Sequence, residues 1–334
     1  MSANNYEKYN LNIRSGFHRQ YMRNMLHVNN GDGTFSEIGQ LSGISNTDWS
    51  WAALAADYDN NGIKDLYITN GYLRDFTNMD FITYMSNYVS KKTRLAREDV
   101  LELTQKIPIS NISNYMFENQ NGLTFSNVTK QWGLSLSSNS NGAAYADLDN
   151  DGDLDLIVNN INQPAFVFEN HSEKIKDNNY LQVELEGAEL NTQGIGAKIA
   201  IHNSGNVQFL EQTITRGYLS SVSPVLHFGL GQASKIDSLI ITWPKGQQQK
   251  LESIEANQKI VLKENEAVLR RRPKNDQGPK TIFTEIPSPI AYNNPAVGRR
   301  DFDRQRLLTK ELSFSGPCMV KGDLNGDELG DLFI

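Results

Sequence analysis

The chain has 334 residues, of which 38% are hydrophobic and 21% charged, and its formal net charge is -7. This is an ordinary globular composition, and the acidic balance disfavours nucleic acid as a partner. The single cysteine excludes an internal disulfide framework, and no apolar run has the length of a membrane helix or the position of a signal peptide core.

The first 80 residues predict an irregular start followed by short strands. Residues 1–23 are polar and aromatic without a clear period, so no regular element is predicted there. Strands are predicted at residues 25–28 and 34–38, joined by the glycine-rich turn 29–33. A further apolar segment, residues 49–56, leads directly into an acidic loop.

That loop, residues 57–65, reads Asp-Tyr-Asp-Asn-Asn-Gly-Ile-Lys-Asp. Oxygen ligands at positions 1, 3, 5 and 9, with a glycine at position 6, let a short loop curl around a hard cation such as Ca²⁺. A backbone carbonyl at position 7 adds a further ligand. The predicted ligands are Asp57, Asp59, Asn61, the carbonyl of Ile63, and Asp65.

The spacing of apolar residues becomes typical of a helix in an insertion over residues 74–113. Two helices are predicted, with apolar faces that we expect to pack against the parent domain. The first face contains Met79, Ile82, Met85, Tyr88 and Val89, and the second contains Leu95, Val100, Leu101 and Leu103.

The acidic loop recurs at residues 147–155, Asp-Leu-Asp-Asn-Asp-Gly-Asp-Leu-Asp. Aligning residue 147 with residue 57 also places Phe125 on Phe35, so the chain contains an internal repeat. A third copy begins at residues 165–170. The predicted ligands of the second loop are Asp147, Asp149, Asp151, the carbonyl of Asp153, and Asp155.

Two other interpretations of this loop are weaker. An EF-hand has a bidentate Glu at position 12, where this chain has Val158, and the flanking residues alternate as in a strand. An ion-free surface turn is the simpler alternative, but it does not explain why the pattern recurs. Because such small units cannot bury both faces alone, we expect them to pack as β-propeller blades.

After the repeats, apolar and polar residues alternate as in strands, in a pattern that does not match the repeats. This alternation predicts a compact β domain at residues 175–265, in which His227 has a structural role. We therefore place repeat blades at residues 1–170, a polar linker at 266–282 and a truncated second repeat region at 283–334.

A third acidic loop occupies residues 323–331. Glu328 stands at position 6, which costs about 1 kcal/mol if φ is positive. We therefore expect Ca²⁺ affinity to be highest in the second loop, lower in the first and lowest in the third. The predicted ligands of the third loop are Asp323, Asn325, Asp327 and Asp331.

The acidic loops, each followed by an apolar strand, resemble the FG-GAP or VCBS repeats of integrin-α-like β-propellers, which bind Ca²⁺ there. Residues 217–220, 226–231 and 237–244 are similar to the ASPIC/UnbV domain. The resemblance implies an all-β fold: partial propeller blades with a helical insertion, a β-sandwich-like ASPIC/UnbV domain and the start of a second propeller. It also implies no catalytic residues and a fragment of an exported protein, whether secreted, periplasmic or attached to the outer membrane.

Three functional hypotheses follow. The first is a non-enzymatic, calcium-binding scaffold for adhesion to an unknown protein or glycan. The alternatives are a cell-surface accessory for polymer capture and a hydrolase with structural calcium. The unpaired strand edges of an incomplete propeller additionally predict self-association.

Overall fold

The computed structural model of the chain describes residues 6–17, 21, 23–269, 283, 287, 301 and 319–333. Their regular secondary structure is mostly strands in several sheets, with few helices, so the all-β prediction is confirmed. The chain divides into two compact units, Met1–Arg271 and Arg272–Ile334. No described helix is both long and apolar enough to span a membrane.

The first part of the larger unit, which we term the repeat region, contains short strands and three helices. Helix α1 corrects the expectation that residues 1–23 lack a regular element; its sequence has too few aliphatic residues to set a detectable period. In chain order the elements are α1 (Tyr6–Arg14), β1 (His27–Asn29), β2 (Phe35–Glu37), β3 (Ser50–Ala56), β4 (Asp65–Asn70), α2 (Met79–Ser90), α3 (Arg97–Lys106), β5 (Ile112–Ser113), β6 (Tyr115–Asn119), β7 (Phe125–Asn127), β8 (Ser137–Ser138), β9 (Ser140–Ala146), β10 (Asp155–Asn160) and β11 (Phe166–Phe168).

The two loop-bearing repeats build matching antiparallel sheets. One has the strand order β3-β4-β6-β7, and the other has the order β11-β10-β9. Ala56 pairs with Asp65 and Ala146 pairs with Asp155, so each predicted cation loop closes a hairpin. The repeats share a core of buried side chains, among them Leu54, Tyr67, Met116, Leu156 and Val158.

The insertion contains the two predicted helices, α2 and α3, but its predicted apolar faces are largely exposed. Phe81 and Leu103 are buried, whereas Met79 lies on the surface. The helices meet through polar groups, since the hydroxyl of Tyr88 donates to a carboxylate oxygen of Asp99 (2.8 Å). The hydrophobic pattern therefore predicted the helices correctly and their packing incorrectly.

A short helix, α4 (Ser172–Ile175), leads from the repeats into a two-sheet β domain at residues 179–269. The sheets have the strand orders β15-β12-β18 and β14-β13-β16-β17-β19. Their facing side chains form one core that includes Leu181, Ile199, Phe228, Leu239 and Trp243, in agreement with the predicted sandwich-like arrangement. The strands are β12 (Asn179–Glu186), β13 (Lys198–Asn203), β14 (Asn206–Glu211), β15 (Leu226–Gly231), β16 (Lys235–Thr242), β17 (Gln247–Glu255), β18 (Gln258–Lys263) and β19 (Val268–Leu269).

The smaller unit contains the antiparallel strands β20 (Val320–Gly322) and β21 (Asp331–Phe333), which flank the third acidic loop. Most of the predicted linker at 266–282 lies outside the described residues, as does most of the region predicted at 283–334.

The β-domain core predicts a specific loss of stability. Leu239 is fully buried, so Leu239→Ala should lower the free energy of unfolding by about 2–5 kcal/mol through lost burial and a residual cavity. The matched control is Leu190→Ala, because the Leu190 side chain is fully exposed. Urea denaturation followed by tryptophan fluorescence checks both variants, and equal losses would contradict the assigned core.

Candidate metal centre

The three acidic loops share one hydrogen-bonding template. In each, the position-9 carboxylate accepts from the position-2 N–H, and the position-1 carboxylate accepts from the position-6 N–H. The bonds from the position-2 N–H to the position-9 carboxylate join Tyr58 to Asp65 (3.2 Å), Leu148 to Asp155 (2.9 Å) and Leu324 to Asp331 (2.9 Å). The bonds from the position-6 N–H to the position-1 carboxylate join Gly62 to Asp57 (2.8 Å), Gly152 to Asp147 (3.1 Å) and Glu328 to Asp323 (3.0 Å).

The template requires a left-handed backbone at position 6. Here φ is +95° at Gly62, +96° at Gly152 and +63° at Glu328. The third loop therefore carries the conformational cost predicted for a non-glycine residue at this position. Its glycines stand elsewhere, Gly326 at position 4, where φ is also positive, and Gly330 at position 8.

The first loop gathers three buried carboxylates. Oxygens of Asp57, Asp59 and Asp65 all lie within 4.8 Å of one another. Burial raises the pKa of Asp65 to about 7, and burial with the nearby charges of Asp59 and Asp65 raises the pKa of Asp57 well above its ordinary value. Asn61, also a predicted ligand, accepts a hydrogen bond from the N–H of Ile63 (2.7 Å).

Lys176 gives this loop a positive charge that the sequence did not predict. Its ammonium group pairs with Asp59 and with Glu118 (3.0 Å), so part of the loop's negative charge is already offset. Lys176 follows α4 and is far from the loop in sequence, so no local spacing could identify it.

The second loop gathers oxygens of Asp147, Asp149 and Asp151 within 4.8 Å. One Asp147 oxygen, Oδ2, accepts from Nε2 of Gln182 in β12 (2.6 Å), while Oδ1 is buried without a hydrogen-bond partner. Asp155, the fourth predicted carboxylate, lies outside this group. Its two oxygens accept from the N–H groups of Leu148 and Asn170.

Asp153 belongs to a second acidic group. Its carbonyl was the predicted ligand, but its side chain lies near Asp151 and Glu173, with oxygens of all three within 4.8 Å. Oδ2 accepts from the backbone N–H of Ser172 (3.0 Å), at the start of α4. Burial raises the pKa of Asp153 to about 8. The sequence did not point to Glu173, which comes from a different element.

Both loops contact the β domain, and Asn60 is the centre of that contact. Its Nδ2 donates to the carbonyl of Gly152 in the other loop (3.0 Å), and its Oδ1 accepts from Nε2 of His227 (2.6 Å). Its own carbonyl accepts from the N–H of Gly231 (2.8 Å). Burial lowers the pKa of His227 to about 4, so this histidine is neutral, in keeping with the structural role expected for it.

These groups fit a hard cation. The candidate ligand atoms are oxygens, and in each repeat they converge from one short loop. The Oδ1 atom of Asp147 is buried without a hydrogen-bond partner. The clusters at Asp57 and Asp147 could therefore each hold a metal ion. Among the described residues, the third loop forms no comparable group of three carboxylates.

Gly152 offers a direct test of how closely the β domain covers the second loop. A Cβ at this position would lie 1.9 Å from the ring of Tyr180, whereas one at Gly122 would have no neighbour within 4 Å. Both glycines have positive φ, so both alanine variants should lose about 1–2 kcal/mol. Gly152→Ala should lose about 1–3 kcal/mol more through overpacking. Similar unfolding midpoints for the two variants would contradict this contact.

Comparison with known proteins identifies both modules. Residues 16–68 and 103–158 match the FG-GAP-like repeat family, and residues 187–269 match the ASPIC and UnbV family. The chain is 26% identical to cartilage acidic protein 1 of Xenopus tropicalis over 261 residues and 26% identical to that of Homo sapiens over 265 residues. These matches cover 67% of this chain but only 38% and 37% of the relatives' lengths. The chain thus carries FG-GAP-like repeats followed by an ASPIC and UnbV domain.

Proposed function

We propose that this chain is part of an extracytoplasmic, calcium-binding β-repeat scaffold for adhesion to a protein or glycan, and that it is not an enzyme. The observation that carries the proposal is the convergence of acidic oxygens at the same hairpin in two matching repeats. Ca²⁺ prefers such oxygen ligands, and FG-GAP-like repeats with an ASPIC and UnbV domain support the assignment to an adhesion-type scaffold.

In this proposal the ions are structural. Asp57, Asp59 and Asp65 would hold one ion, and Asp147, Asp149 and Asp151 another, with carbonyl and amide oxygens of the same loops completing each shell. A bound cation offsets the mutual repulsion of clustered carboxylates and so stabilises the hairpin that contains them. The repeat blades would extend over residues 1–170 and the ASPIC/UnbV domain over residues 175–265.

We expect the second loop to bind Ca²⁺ more tightly than the first. It has more carboxylates in the predicted ligand positions, and Lys176 already neutralises part of the first loop. Affinities of extracellular calcium modules are about 10⁻⁴–10⁻³ M. Calorimetric titration of the full chain should therefore lose its tighter phase in Asp147→Ala and its weaker phase in Asp57→Ala.

The matched control for this titration is Asp80→Ala, which removes an exposed aspartate outside the loops. It should leave both phases unchanged. Loss of the tighter phase in Asp57→Ala rather than in Asp147→Ala would reverse the proposed order.

Removal of calcium should also lower the melting temperature. Without the ion, the carboxylates at both hairpins repel one another, so EDTA should destabilise the larger unit. The shift should be absent in the double variant Asp57→Ala, Asp147→Ala. Calorimetric melting with and without EDTA checks this, and a melting temperature that EDTA leaves unchanged would reject the structural role.

A further inference from the structure

A groove lined by aromatic residues lies at the end of β3 and β9 opposite the acidic loops. Its volume is about 360 Å³, and it lies where the first repeat, the start of the insertion, the second repeat and the β domain meet. Ligand sites commonly occur where such elements converge. We term it the aromatic groove; its lining includes Trp51, Tyr72, Arg74, Phe76, Asn141 and Tyr218.

The aromatic side chains form a partly exposed platform. Trp49 stacks on Tyr72 with ring centroids 4.6 Å apart and planes inclined by 18°, and Phe76 meets the edge of Tyr72. Trp51 packs edge-on against Tyr218 at 4.5 Å. Trp49 is 38% exposed and Phe76 is 52% exposed. Clustered exposed aromatic groups of this kind mark binding surfaces more often than isolated ones do.

The polar groups beside this platform are mainly uncharged. A second depression of about 470 Å³ shares Asn141 and Tyr218 with the aromatic groove and adds Asn159 and Ser221. Arg74 is the charged residue in these linings, and its guanidinium donates to the carbonyl of Ile107 (3.0 Å), at the end of α3. The surface is therefore suited to a neutral ligand rich in hydroxyl groups.

Two features of this region have no explanation within the fold. The indole N–H of Trp51 is buried without a hydrogen-bond partner, although buried donors are nearly always paired. Leu219, which lines the second depression, has a φ of +46° and is 89% exposed. Strained backbone and unpaired polar groups of this kind concentrate at ligand sites.

We propose that the aromatic groove binds a neutral oligosaccharide. The C–H face of a pyranose ring packs against a flat aromatic ring, while its hydroxyl groups exchange hydrogen bonds with amides and hydroxyls at its edge. Tyr72 and Phe76 line the groove, and Trp49 extends this aromatic surface by stacking on Tyr72. The Asn141, Asn159 and Ser221 side chains provide the polar contacts. A proline-rich peptide is the competing ligand, since it also binds aromatic grooves, but it has too few polar groups for the second depression.

This inference rests on the proposed function, because it names the ligand class of the scaffold. The test titrates the full chain in calcium with cellohexaose, maltohexaose, xylohexaose, chitohexaose and decaproline, by calorimetry and tryptophan fluorescence. We expect at least one hexasaccharide to bind with millimolar or tighter affinity and to change the fluorescence. Trp49→Ala and Phe76→Ala should each weaken that binding about tenfold. The control Phe35→Ala removes an aromatic residue of similar exposure from β2 and should leave it unchanged.

Three results would overturn the inference: no hexasaccharide binds, decaproline alone binds, or the groove variants bind as tightly as the unmodified chain. The effect of EDTA on melting separates this failure from failure of the calcium proposal. An EDTA-sensitive chain without sugar binding rejects the groove alone. Sugar binding that depends on Trp49 and Phe76 in a chain insensitive to EDTA supports the groove and rejects the calcium proposal.

Discussion

The burial of several carboxylates at two neighbouring hairpins is the constraint on which this arrangement depends. Charge removed from water is costly unless donors or cations surround it, and here the donors come from several directions. Backbone N–H groups of each loop donate to the carboxylates from within, while Lys176 approaches from the segment that precedes the β domain and Gln182 from its strand β12. The contacts that dock the β domain therefore also offset the negative charge of the loops.

This explains why the first two acidic loops lie against the β domain rather than on a free surface. Tyr180 covers Gly152, and Gly229 brings its backbone against a carboxylate oxygen of Asp57 so closely that a Cβ would lie 2.0 Å away. Such approaches need glycine on one side and a fixed loop on the other. A loop that changed shape would lose these contacts, so the order of the loop and the position of the β domain depend on each other.

Local patterns in the sequence were sufficient for the features that depend on neighbouring residues. The spacing of Asp57 to Asp65 predicted a loop that turns sharply at a glycine, and strand alternation predicted a compact β domain. Contacts between modules had no such signal, which is why Gln182 and Lys176 were missed. The exposed faces of α2 and α3 show the same limit, because their helical period is local whereas their packing is not. The aromatic groove likewise assembles side chains as far apart in sequence as Trp51 and Tyr218.

Asn60 shows how narrowly one position can be specified by its neighbours. Its φ of +58° favours glycine, asparagine or aspartate, yet its side chain must also donate to Gly152 and accept from His227. Glycine has neither group, and an ionised aspartate has no donor and adds charge beside Asp57 and Asp59. Asparagine alone among the twenty amino acids combines this backbone tolerance with both functions at this length. Substitution of Asn60 should therefore be tolerated less well than substitution of several of the acidic residues around it.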